Sequence, residues 1–508
     1  MVQVQATEPG NRKLRVLMLC AHEPTADPRI AWAARSAAAA FDVTVLGFAP
    51  DAAPASDTRT AHGYRIVRLP RRPGSASRYL WLLKDVAAGA AYAFLTILAV
   101  LGAPVLAIAE AALSVGSSAM RRIAAAPLGS GGGARASGAT SRLRNSLPGR
   151  IRSIFYAMRH QFAPAADVFG QWIRKLAQKP DIVHCNDLDT LLDGIVAKMR
   201  FGSRVVYDAH EFYPESHAGG RWLDIKLMTA LERFLVRKAD AVVTVNPMLA
   251  DVMRDLYGLA DVYSIPNAEW WVEPRERPPL KSAMTGAAHG RIKVLFQGRF
   301  DDGRGIEELI AAWTQVDGKH AALFLRGPDN ASRQSAVDLA RRLDLLDKSV
   351  FFLDPVSEQM LVAAAAEADI GVIPYKPLIR NDRFACPNKL SQYLHAGLMV
   401  VTNDLPYVKS VVQAADAGLT YNSSDSSSLA AIVNRIAGDR ALLDRCRQNA
   451  LSYARQSFNW QYHAETLNVL YRDASSVAVS GSRSFAVDYP IFGGVVQAAR
   501  RFAGTKGD

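Results

Sequence analysis

The sequence predicts an α/β protein with two domains, each built around a parallel sheet that is covered by helices. Three observations lead to this fold class. The chain has 508 residues, which is more than one hydrophobic core usually organises. Two series of short apolar runs alternate with helical patterns along the chain. A proline-rich stretch that begins at Pro266 separates the two series, as a domain linker would.

The first series predicts seven strands in the N-terminal domain, residues 1–265. They are expected at residues 15–20, 43–48, 65–69, 182–185, 204–207, 241–245 and 262–265. Asp27 is suited to cap the helix after the first strand, because Pro28 follows it at the first helical position. The β/α rhythm stops after the third strand, so this domain carries a large insertion at about residues 77–178.

The insertion contains a long apolar segment. Residues 86–109 carry no charge, which is long enough for one membrane span. A single crossing would place strands of one sheet on opposite sides of the membrane, so the chain must return, and the Gly-Ala-Pro sequence at 102–104 supplies the reversal. We therefore expect a re-entrant or shallow helical hairpin at residues 80–119. The alternative is a helix pair buried in a dimer interface.

The positive charge is concentrated in the same part of the chain. The formal net charge is +12, and residues 65–179 carry seventeen Lys and Arg against three acidic residues. Residues 121–152 form a basic linker whose Gly- and Ser-rich centre is typical of a flexible segment. These charges show neither the regular interleaving with stacking aromatics nor the known module that a nucleic-acid surface would have. This excludes a usual nucleic-acid surface and favours an anionic membrane surface as the partner of residues 79–152.

The cysteines and the N-terminal sequence indicate the cellular compartment of the protein. Cys20, Cys185, Cys386 and Cys446 are far apart and show no metal-ligand spacing. No secretory signal precedes the first apolar strand. We therefore expect no metal site, and a peripheral or monotopic protein on the reducing, cytoplasmic side of the inner (plasma) membrane.

Two polar loops leave the carboxyl ends of strands in the first domain, where open α/β sheets usually bind ligands. They supply six candidate side chains: His22, Asp27, Arg29, Asp208, His210 and Glu211. The ring of His210 can hydrogen-bond a ligand hydroxyl or exchange a proton near neutral pH, and the alternative is a histidine that only caps a turn. Asn186 and Asp187 belong to the same edge, with an Asx turn as the alternative.

The second series predicts six strands after a linker at residues 266–290. They are expected at residues 291–297, 321–325, 350–353, 370–373, 398–401 and 419–421. They define a C-terminal domain at residues 291–455. A late helix at 456–474 and a tail at 475–508 follow it.

A glycine-rich loop follows the first strand of the second domain and opens a helix at Ile306. Gly298 and Gly303 allow the backbone to approach a ligand, while Arg299 and Arg304 supply cations for a diphosphate. Neither a Walker nor a dinucleotide fingerprint occurs in this loop. Its position at the carboxyl end of a strand favours phosphate binding, and the alternative is a solvated turn.

Residues 381–403 predict a second wall of the same site. Pro387 suits the first position of a helix, so the amides of residues 388–390 are expected to attract phosphate. Gln392 lies four residues after Asn388 on the same helical face, and Gly397 is expected to end the helix. The alternative is an ordinary helix and strand with an unused helix N-terminus.

Together these motifs resemble the retaining glycosyltransferases of the GT-B fold, close to the family-4 group. The matching segments are the DPR loop, YDAHEFYPE, IPN, GRFDDGRGIEELI, AAEADIGVIPY, PNKLSQYLHAGLMVV and FNWQYHAETLNVLY. They occur in family order over most of the chain except the insertion. The resemblance implies two Rossmann-like domains that face a cleft, with a nucleotide sugar in the C-terminal domain, the acceptor on the N-terminal domain and a last helix that returns to the first domain.

The resemblance also implies roles for individual residues. Arg299 and Arg304 match the basic pair that stabilises the departing diphosphate, with Arg304 where a lysine is common. His210 matches a histidine near the transferred sugar, and Asn388 and Lys389 fall where main chain meets phosphate and sugar. The donor is expected to contact Gly298, Gly303, Asn388, Lys389 and Gln392. The acceptor side is expected to include His22, Asp27, Arg29, Asp208 and Glu211.

One departure concerns two glutamates that the family often has eight residues apart, the second of which grips the nucleotide ribose. Phe384 and Gln392 stand at these positions. Glutamine can still hydrogen-bond ribose hydroxyls through one acceptor and one donor group. Asn381 or Asp382 is a candidate replacement for the first glutamate.

The resemblance thus implies a metal-independent, hexosyltransferase-type enzyme that needs no cofactor and uses a nucleotide sugar as co-substrate. We expect a lipid-linked or membrane-proximal glycan acceptor, in cell-surface polysaccharide or glycoconjugate synthesis. One alternative is a non-catalytic partner of the same fold in a polysaccharide-assembly complex. Another is a nucleotide-sugar epimerase.

Overall fold

The computed structural model describes residues 12–50, 53–70, 178–217, 222–278, 284–288, 290–423 and 425–476, together with residues 169, 172, 173 and 176. They belong to two compact units. The first unit comprises the chain up to Thr244, Ala250–Tyr263 and Leu467–Ser475. The second comprises Val245–Leu249, Ser264–Thr466 and the chain from Ser476.

A sheet of eight described strands forms the centre of the first unit. In chain order the strands are β1 (Arg15–Leu19), β2 (Asp42–Phe48), β3 (Ser56–Arg59), β4 (Arg65–Leu69), β5 (Ile182–Asn186), β6 (Arg204–Ala209), β7 (Ala241–Thr244) and β8 (Tyr263–Ser264). Across the sheet their order is β3-β4-β2-β1-β5-β6-β7-β8. β1, β5 and β6 are parallel neighbours, so their carboxyl ends lie side by side near the middle of the sheet.

The seven predicted strands of this unit are present, with ends that differ from the prediction by no more than two residues. The eighth, β3, was not predicted, and it pairs with β4 in the antiparallel sense. Its sequence, Ser-Asp-Thr-Arg, lacks an apolar residue, because an edge strand with largely exposed side chains needs none. The predicted parallel sheet therefore has one antiparallel edge.

Five described helices belong wholly or mainly to the first unit. They are α1 (Pro28–Ala37), α2 (Leu188–Phe201), α3 (Tyr213–His217), α4 (Trp222–Val236) and α5 (Pro247–Tyr257). Asp27 caps α1 as predicted, and its carboxylate accepts the N–H of Arg29 at 2.9 Å. This cap directs the side chains that follow it toward the carboxyl ends of β1 and β6.

The sheet of the second unit has six described strands, all paired in parallel. The strands are β9 (Ile292–Gln297), β10 (Ala321–Arg326), β11 (Val350–Leu353), β12 (Ile370–Ile373), β13 (Met399–Thr402) and β14 (Gly418–Thr420). Their order across the sheet is β11-β10-β9-β12-β13-β14. Each predicted strand of this unit is confirmed to within one residue at either end.

The described helices that follow β8 range from four to seventeen residues in length. They are α6 (Thr285–Ala288), α7 (Ile306–Ala312), α8 (Ala331–Arg342), α9 (Leu361–Ala365), α10 (Arg380–Arg383), α11 (Asn388–Ala396), α12 (Pro406–Ala414), α13 (Ser426–Ala437), α14 (Arg440–Gln456) and α15 (Trp460–Ser476). Three single 3₁₀ turns add Pro274–Glu276, Trp313–Gln315 and Glu358–Met360. Helix α15 begins in the second unit, and its residues from Leu467 belong to the first.

Helix α11 begins one residue later than predicted. Pro387 precedes the first helical residue, and its carbonyl accepts the N–H of Leu390 at 2.9 Å. The amide of Leu390 therefore closes the first turn, and the prediction that it attracts phosphate is wrong. Gly397 ends the helix as predicted, in the left-handed conformation with φ 71°.

The predicted hairpin at 80–119 and the basic linker at 121–152 lie outside the described residues, so both stay predictions. Among the helices that are described, we find none that is both long and apolar enough to cross a membrane. The same part of the chain contains no cluster of three or more His, Cys, Asp or Glu that could hold a metal ion.

Candidate functional site

A buried ion pair joins the start of α1 to the end of β6 in the first unit. Arg29 donates from Nε and Nη2 to the two carboxylate oxygens of Asp208, at 3.0 and 2.8 Å. Each side chain is only 2% exposed. Burial alone would raise the pKa of Asp208, but Arg29, with His184 and His210, holds it well below its usual value. Asp208 is therefore a permanent carboxylate beneath the edge of the sheet.

The ring of His210 lies between acidic groups at this edge. Its Nδ1 is 2.8 Å from Oδ2 of Asp27 and 3.6 Å from Oδ2 of Asp187. Its Nε2 is 3.2 Å from Oδ1 of Asn186. Burial opposes a charged ring, but the carboxylates of Asp187 and Asp27 outweigh it and raise the pKa of His210 well above its usual value. The ring is thus an imidazolium at neutral pH, and both nitrogens donate.

This geometry bears on the predicted uses of His210. A base that exchanges a proton near neutral pH needs a free nitrogen and a pKa near 7. Here both ring nitrogens face acceptors within the unit, which favours a charged ring, and the use of His210 as a base stays a prediction. The turn-capping alternative does not describe the ring, which contacts side chains at the ends of two strands and a helix. His210 offers a ligand a fixed positive charge, with 10% of its side chain exposed.

Asp187 and Asn186 hold His210 rather than forming an Asx turn. Asp187 has φ 62°, which non-glycine residues rarely adopt, and its side chain makes no helix-cap bond. Instead its Oδ1 accepts the backbone N–H of His210 at 3.0 Å, and burial raises its pKa to about 7. Nδ2 of Asn186 donates to the carbonyl of Leu19 at 2.8 Å. The Asx-turn alternative is therefore wrong, and both residues belong to the site.

The other predicted residues of this unit lie in the adjoining loops. Nδ1 of His22 is 2.9 Å from the carbonyl oxygen of Glu23. Glu211 accepts the hydroxyl of Ser216 at 2.7 Å. The structure thus joins Asp27, Arg29, Asp208 and His210 in one hydrogen-bonded cluster and gives His22 and Glu211 local contacts beside it.

Two members of this cluster were not predicted from the sequence. Nε2 of His184 is 3.4 Å from Oδ2 of Asp208, and its Nδ1 is 2.8 Å from the hydroxyl oxygen of Tyr471. The apolar run of β5 indicates that His184 faces a core, but it says nothing of a partner 287 residues away in α15. Only the tertiary structure of the first unit reveals this contact.

In the second unit, the glycine-rich loop after β9 is pinned against the segment that follows β12. Gly305 has φ 69°, and a Cβ there would lie 1.8 Å from the carbonyl oxygen of Pro374, so only glycine fits. The carbonyl of Gly303, which has φ 84°, accepts the N–H of Lys376 at 2.8 Å. The loop is therefore fixed where Arg304 leaves it.

Two cations converge on Tyr375 at the carboxyl edge of this sheet. The guanidinium carbon of Arg304 is 4.3 Å from the centre of the Tyr375 ring, and Nζ of Lys389 donates to the phenol oxygen at 2.6 Å. Burial, and then the charge of Arg304, lowers the pKa of Lys389 well below its usual value. Among the described residues, no carboxylate lies within ion-pair distance of either cation. This arrangement favours an anionic ligand.

The rest of the predicted donor set is placed as follows. Gly298 has φ 147°, and a Cβ atom added there would lie 3.1 Å from Nζ of Lys389. Asn388 is the first residue of α11. The side chain of Arg299 is 76% exposed, with Nε 3.3 Å from Oδ2 of Asp301. A solvated turn therefore describes Arg299 in this structure, whereas Arg304 packs on Tyr375.

Gln392 is buried, and both ends of its amide are in use. Its side-chain oxygen accepts from Nε2 of Gln297 at 3.2 Å, and its nitrogen donates to Oε1 of Glu269 at 3.4 Å. Burial raises the pKa of Glu269 to about 8, so this neighbour, which was not predicted from the sequence, holds its proton near neutral pH. Each end of the amide makes one hydrogen bond in this conformation, so one lone pair and one N–H remain for the predicted ribose contact.

Comparison with known proteins adds two family matches. Residues 132–268 match the family model described as "Glycosyltransferase Family 4", and residues 291–439 match that of "Glycosyl transferases group 1". Glycogen synthase of Mycobacterium tuberculosis is 26% identical over 306 residues, which are 58% of this chain and 69% of that protein. D-inositol 3-phosphate glycosyltransferase of Corynebacterium efficiens is 27% identical over 293 residues, or 54% of this chain and 64% of that protein.

Solved structures share the fold over most of the chain. Sucrose-phosphate synthase from Thermosynechococcus elongatus superposes with a TM-score of 0.62 at 16% identity, covering 91% of this chain and 99% of its own. HepE of Anabaena, solved in complex with UDP, gives a TM-score of 0.56 at 14% identity over 91% and 100% of the two chains. At such identities the likeness shows the fold alone.

Proposed function

Because the chain belongs to the glycosyltransferases of the GT-B fold, we propose that it moves a sugar from a nucleotide-diphosphate donor to a lipid-linked or membrane-proximal glycan acceptor. Transfer from a nucleotide sugar is the activity that the family matches support. The acceptor class, a hexosyl donor, retention of the anomeric configuration and a role in cell-surface polysaccharide or glycoconjugate synthesis are parts of the proposal.

One observation carries the donor side of this proposal, namely the pair of cations that Tyr375 holds together. A glycosyl transfer breaks the bond between the anomeric carbon and the diphosphate oxygen, and the electron pair of that bond leaves with the diphosphate. A new bond forms from the anomeric carbon to the acceptor oxygen, whose proton can pass to the departing diphosphate. Donors that are already oriented toward the developing charge stabilise it without further reorganisation. Arg304 and Lys389 are held in this way by the phenol ring and its hydroxyl.

The cations also suggest how the charge of the leaving group is balanced. Arg304 can bind two oxygens of one phosphate through its fork, while Lys389 acts as a point charge beside the hydroxyl of Tyr375. Arg299, which is exposed, can rotate its long side chain toward the same diphosphate. We propose that these three cations do the work that a divalent metal does elsewhere, so that turnover withstands a chelator.

On the acceptor side, we assign a charge-providing role to His210. Its imidazolium is fixed by Asp27 and Asn186 and is partly exposed at the edge of the first sheet. A fixed positive charge and polar ring edge can orient sugar hydroxyls without taking a proton from them. Arg29 and Asp208 are too deeply buried to touch an acceptor, so we assign them to positioning His210.

The proposal is tested by titrating the purified protein with UDP, GDP and ADP in a calorimeter and by assaying transfer with the sugar donors of the base that binds. We expect one nucleoside diphosphate to bind, and Arg304→Ala to weaken its binding and to lower turnover with the unfolding midpoint unchanged. Arg299→Ala should lower turnover more than stability. Arg341→Ala, which removes an exposed cation of α8 that pairs with Asp338, is the matched control and should change neither.

The second candidate is a non-catalytic partner of the same fold in a polysaccharide-assembly complex. The observation that favours it is the engaged amide of Gln392, together with Phe384 at the other family glutamate position. Binding of none of the three nucleotides would favour this partner. Binding followed by release of free sugar or by transfer would exclude it.

We also propose that residues 79–152 attach the enzyme to the cytoplasmic face of the inner membrane. The support is the coincidence of an uncharged segment and a basic flank in the sequence. Deletion of residues 77–141 should leave the protein in the supernatant when it is mixed with anionic lipid vesicles, while the full chain sediments. Sedimentation of the truncated protein would contradict the attachment.

A further inference from the structure

We propose that Tyr471 and His184 are positioning residues for His210, acting through the buried carboxylate of Asp208. The four side chains form a series of contacts that starts on α15, crosses the ends of β5 and β6, and reaches the surface at His210. A hydrogen bond joins Tyr471 to His184. The rings of His184 and His210 each lie within ion-pair distance of Oδ2 of Asp208, at 3.4 and 3.7 Å. The inference rests on the proposed function, because it assigns a catalytic use to the orientation of His210.

The first link fixes the tautomer of His184. Its Nε2 faces Oδ2 of Asp208 at 3.4 Å, and a carboxylate oxygen can only accept. We therefore assign the proton to Nε2, because a lone pair there would face the carboxylate, and Nδ1 then accepts the hydroxyl of Tyr471 at 2.8 Å. The proton on the Tyr471 oxygen thus points to His184, and the proton on His184 points to Asp208.

The second link is the carboxylate of Asp208, whose two oxygens have different partners. Oδ1 accepts from Nη2 of Arg29, while Oδ2 accepts from Nε of Arg29 and also faces His184. Nε2 of His210 is 3.7 Å from the same Oδ2, so the carboxylate lies beneath the ring on the side away from Asp27. A rotation of this carboxylate would change the field at His210 and the room available to its ring.

Burial makes each contact of this series depend on the others. Tyr471 and His184 are both 0% exposed, and Asp208 is 1% exposed. A buried donor or acceptor that loses its partner has no water to replace it, so one broken link favours rearrangement of the next. A wrong His184 tautomer would place a lone pair against the carboxylate of Asp208.

Packing holds the Tyr471 ring independently of its hydroxyl. The ring meets Phe41 edge to face, with centroids 5.4 Å apart, and meets His184 in the same manner at 5.9 Å. Tyr471→Phe therefore keeps the ring in place and removes only the hydrogen bond. This property separates the positioning role from the role of the ring in the core.

The experiment compares Tyr471→Phe, His184→Gln and His184→Asn with the wild-type enzyme. Glutamine carries an amide N–H close to the position of Nε2, so it can still donate to Asp208, whereas asparagine reaches only the position of Nδ1. We expect Tyr471→Phe and His184→Asn to lower kcat roughly fivefold with the donor KM unchanged, and His184→Gln to recover most of the loss. The ¹⁵N spectrum of His184 should show a protonated Nε2 in the wild type and a mixture of tautomers in Tyr471→Phe.

Two results would overturn the inference. One is a kcat of Tyr471→Phe equal to that of the wild type. The other is a loss of kcat in all three variants, His184→Gln included, that follows the fall in unfolding midpoint. If the wild type transfers no sugar at all, the proposed function fails, while the ¹⁵N measurement still decides whether Tyr471 donates to Nδ1 of His184 and whether the proton of His184 lies on Nε2, facing Asp208.

Discussion

The ammonium group of Lys389 donates to the phenol oxygen of Tyr375 at 2.6 Å, although Lys389 is only 6% exposed. A buried cation without a carboxylate partner among the described residues lowers the stability of the fold, because its charge has been taken out of water. Such a residue is retained when a ligand uses it. The pair thus predicts opposite effects on stability and on binding.

Lys389→Met should therefore raise the free energy of unfolding by about 1 kcal/mol and weaken binding of the nucleoside diphosphate at least tenfold, as estimated for one charge-assisted contact. Urea unfolding and calorimetric titration measure the two effects on the same sample. Lys348→Met, which removes an exposed lysine paired with Asp344, should alter neither. Equal nucleotide affinity in Lys389→Met and wild type would remove Lys389 from the donor site.

Substitutions in the buried pair of Arg29 and Asp208 should lower the free energy of unfolding, in contrast to Lys389→Met. Asp208→Asn or Arg29→Met leaves one buried charge without its partner, so each should lower the free energy of unfolding by about 3–5 kcal/mol. The double variant should lose clearly less than the two single losses together, because no lone charge remains in it. A double-mutant cycle by urea unfolding measures this coupling. Additive losses would show that the two side chains are not paired in solution.

Glu232 predicts a dependence of stability on pH. It is 1% exposed and accepts the hydroxyls of Tyr207 and Tyr257 at 2.7 and 2.5 Å. Burial raises its pKa to about 7 in spite of these donors. Since the folded state holds the proton more tightly than the unfolded state, this contribution to stability is complete below the unfolded pKa. It is lost as pH rises through about 7.

Glu232→Gln should abolish this trend, because an amide does not titrate. We expect the difference in unfolding free energy between the wild type and this variant to change by a few kcal/mol from pH 5 to pH 8, and to level off above that. Chemical unfolding at a series of pH values measures it. Parallel curves for the two proteins would mean that Glu232 does not titrate in this range.

Gly305 and Gly303 form a matched pair for a test of the loop after β9. Both have positive φ, but a Cβ at Gly305 would lie 1.8 Å from a backbone oxygen, whereas at Gly303 the nearest atom is 4.0 Å away. Gly303→Ala should cost about 1 kcal/mol for its backbone conformation alone, and Gly305→Ala roughly 3 kcal/mol or more. Thermal unfolding compares them. Similar losses in both variants would contradict the close packing of this loop on Pro374.

NMR titration can measure the protonation state of the His210 ring. Its ring should remain protonated at pH 7, since the carboxylates of Asp187 and Asp27 outweigh the effect of burial. Asp27→Asn removes one of them and should lower the pKa of His210, with the ring losing its proton at a lower pH. NMR titration of the ring signals follows this change. A His210 that titrates near 6.5 in the wild type would contradict the imidazolium assignment.

The sequence by itself determined most of the fold. Apolar runs of four to seven residues, helix caps such as Asp27 and helix-ending glycines such as Gly397 depend on neighbours in the chain, so local patterns predict them. The same patterns placed the polar loops at the carboxyl ends of strands. They failed for β3, because an exposed edge strand carries no apolar pattern.

Only the tertiary structure decided which candidate side chains work together. Asp208 and Arg29 are 179 residues apart, and Tyr471 and His184 are 287 residues apart, so their hydrogen bonds follow from the packing of distant elements. The burial of Gln392 against Glu269 is likewise invisible in a local pattern. Partners for buried polar groups are chosen when the core closes, since water is then no longer available to satisfy them.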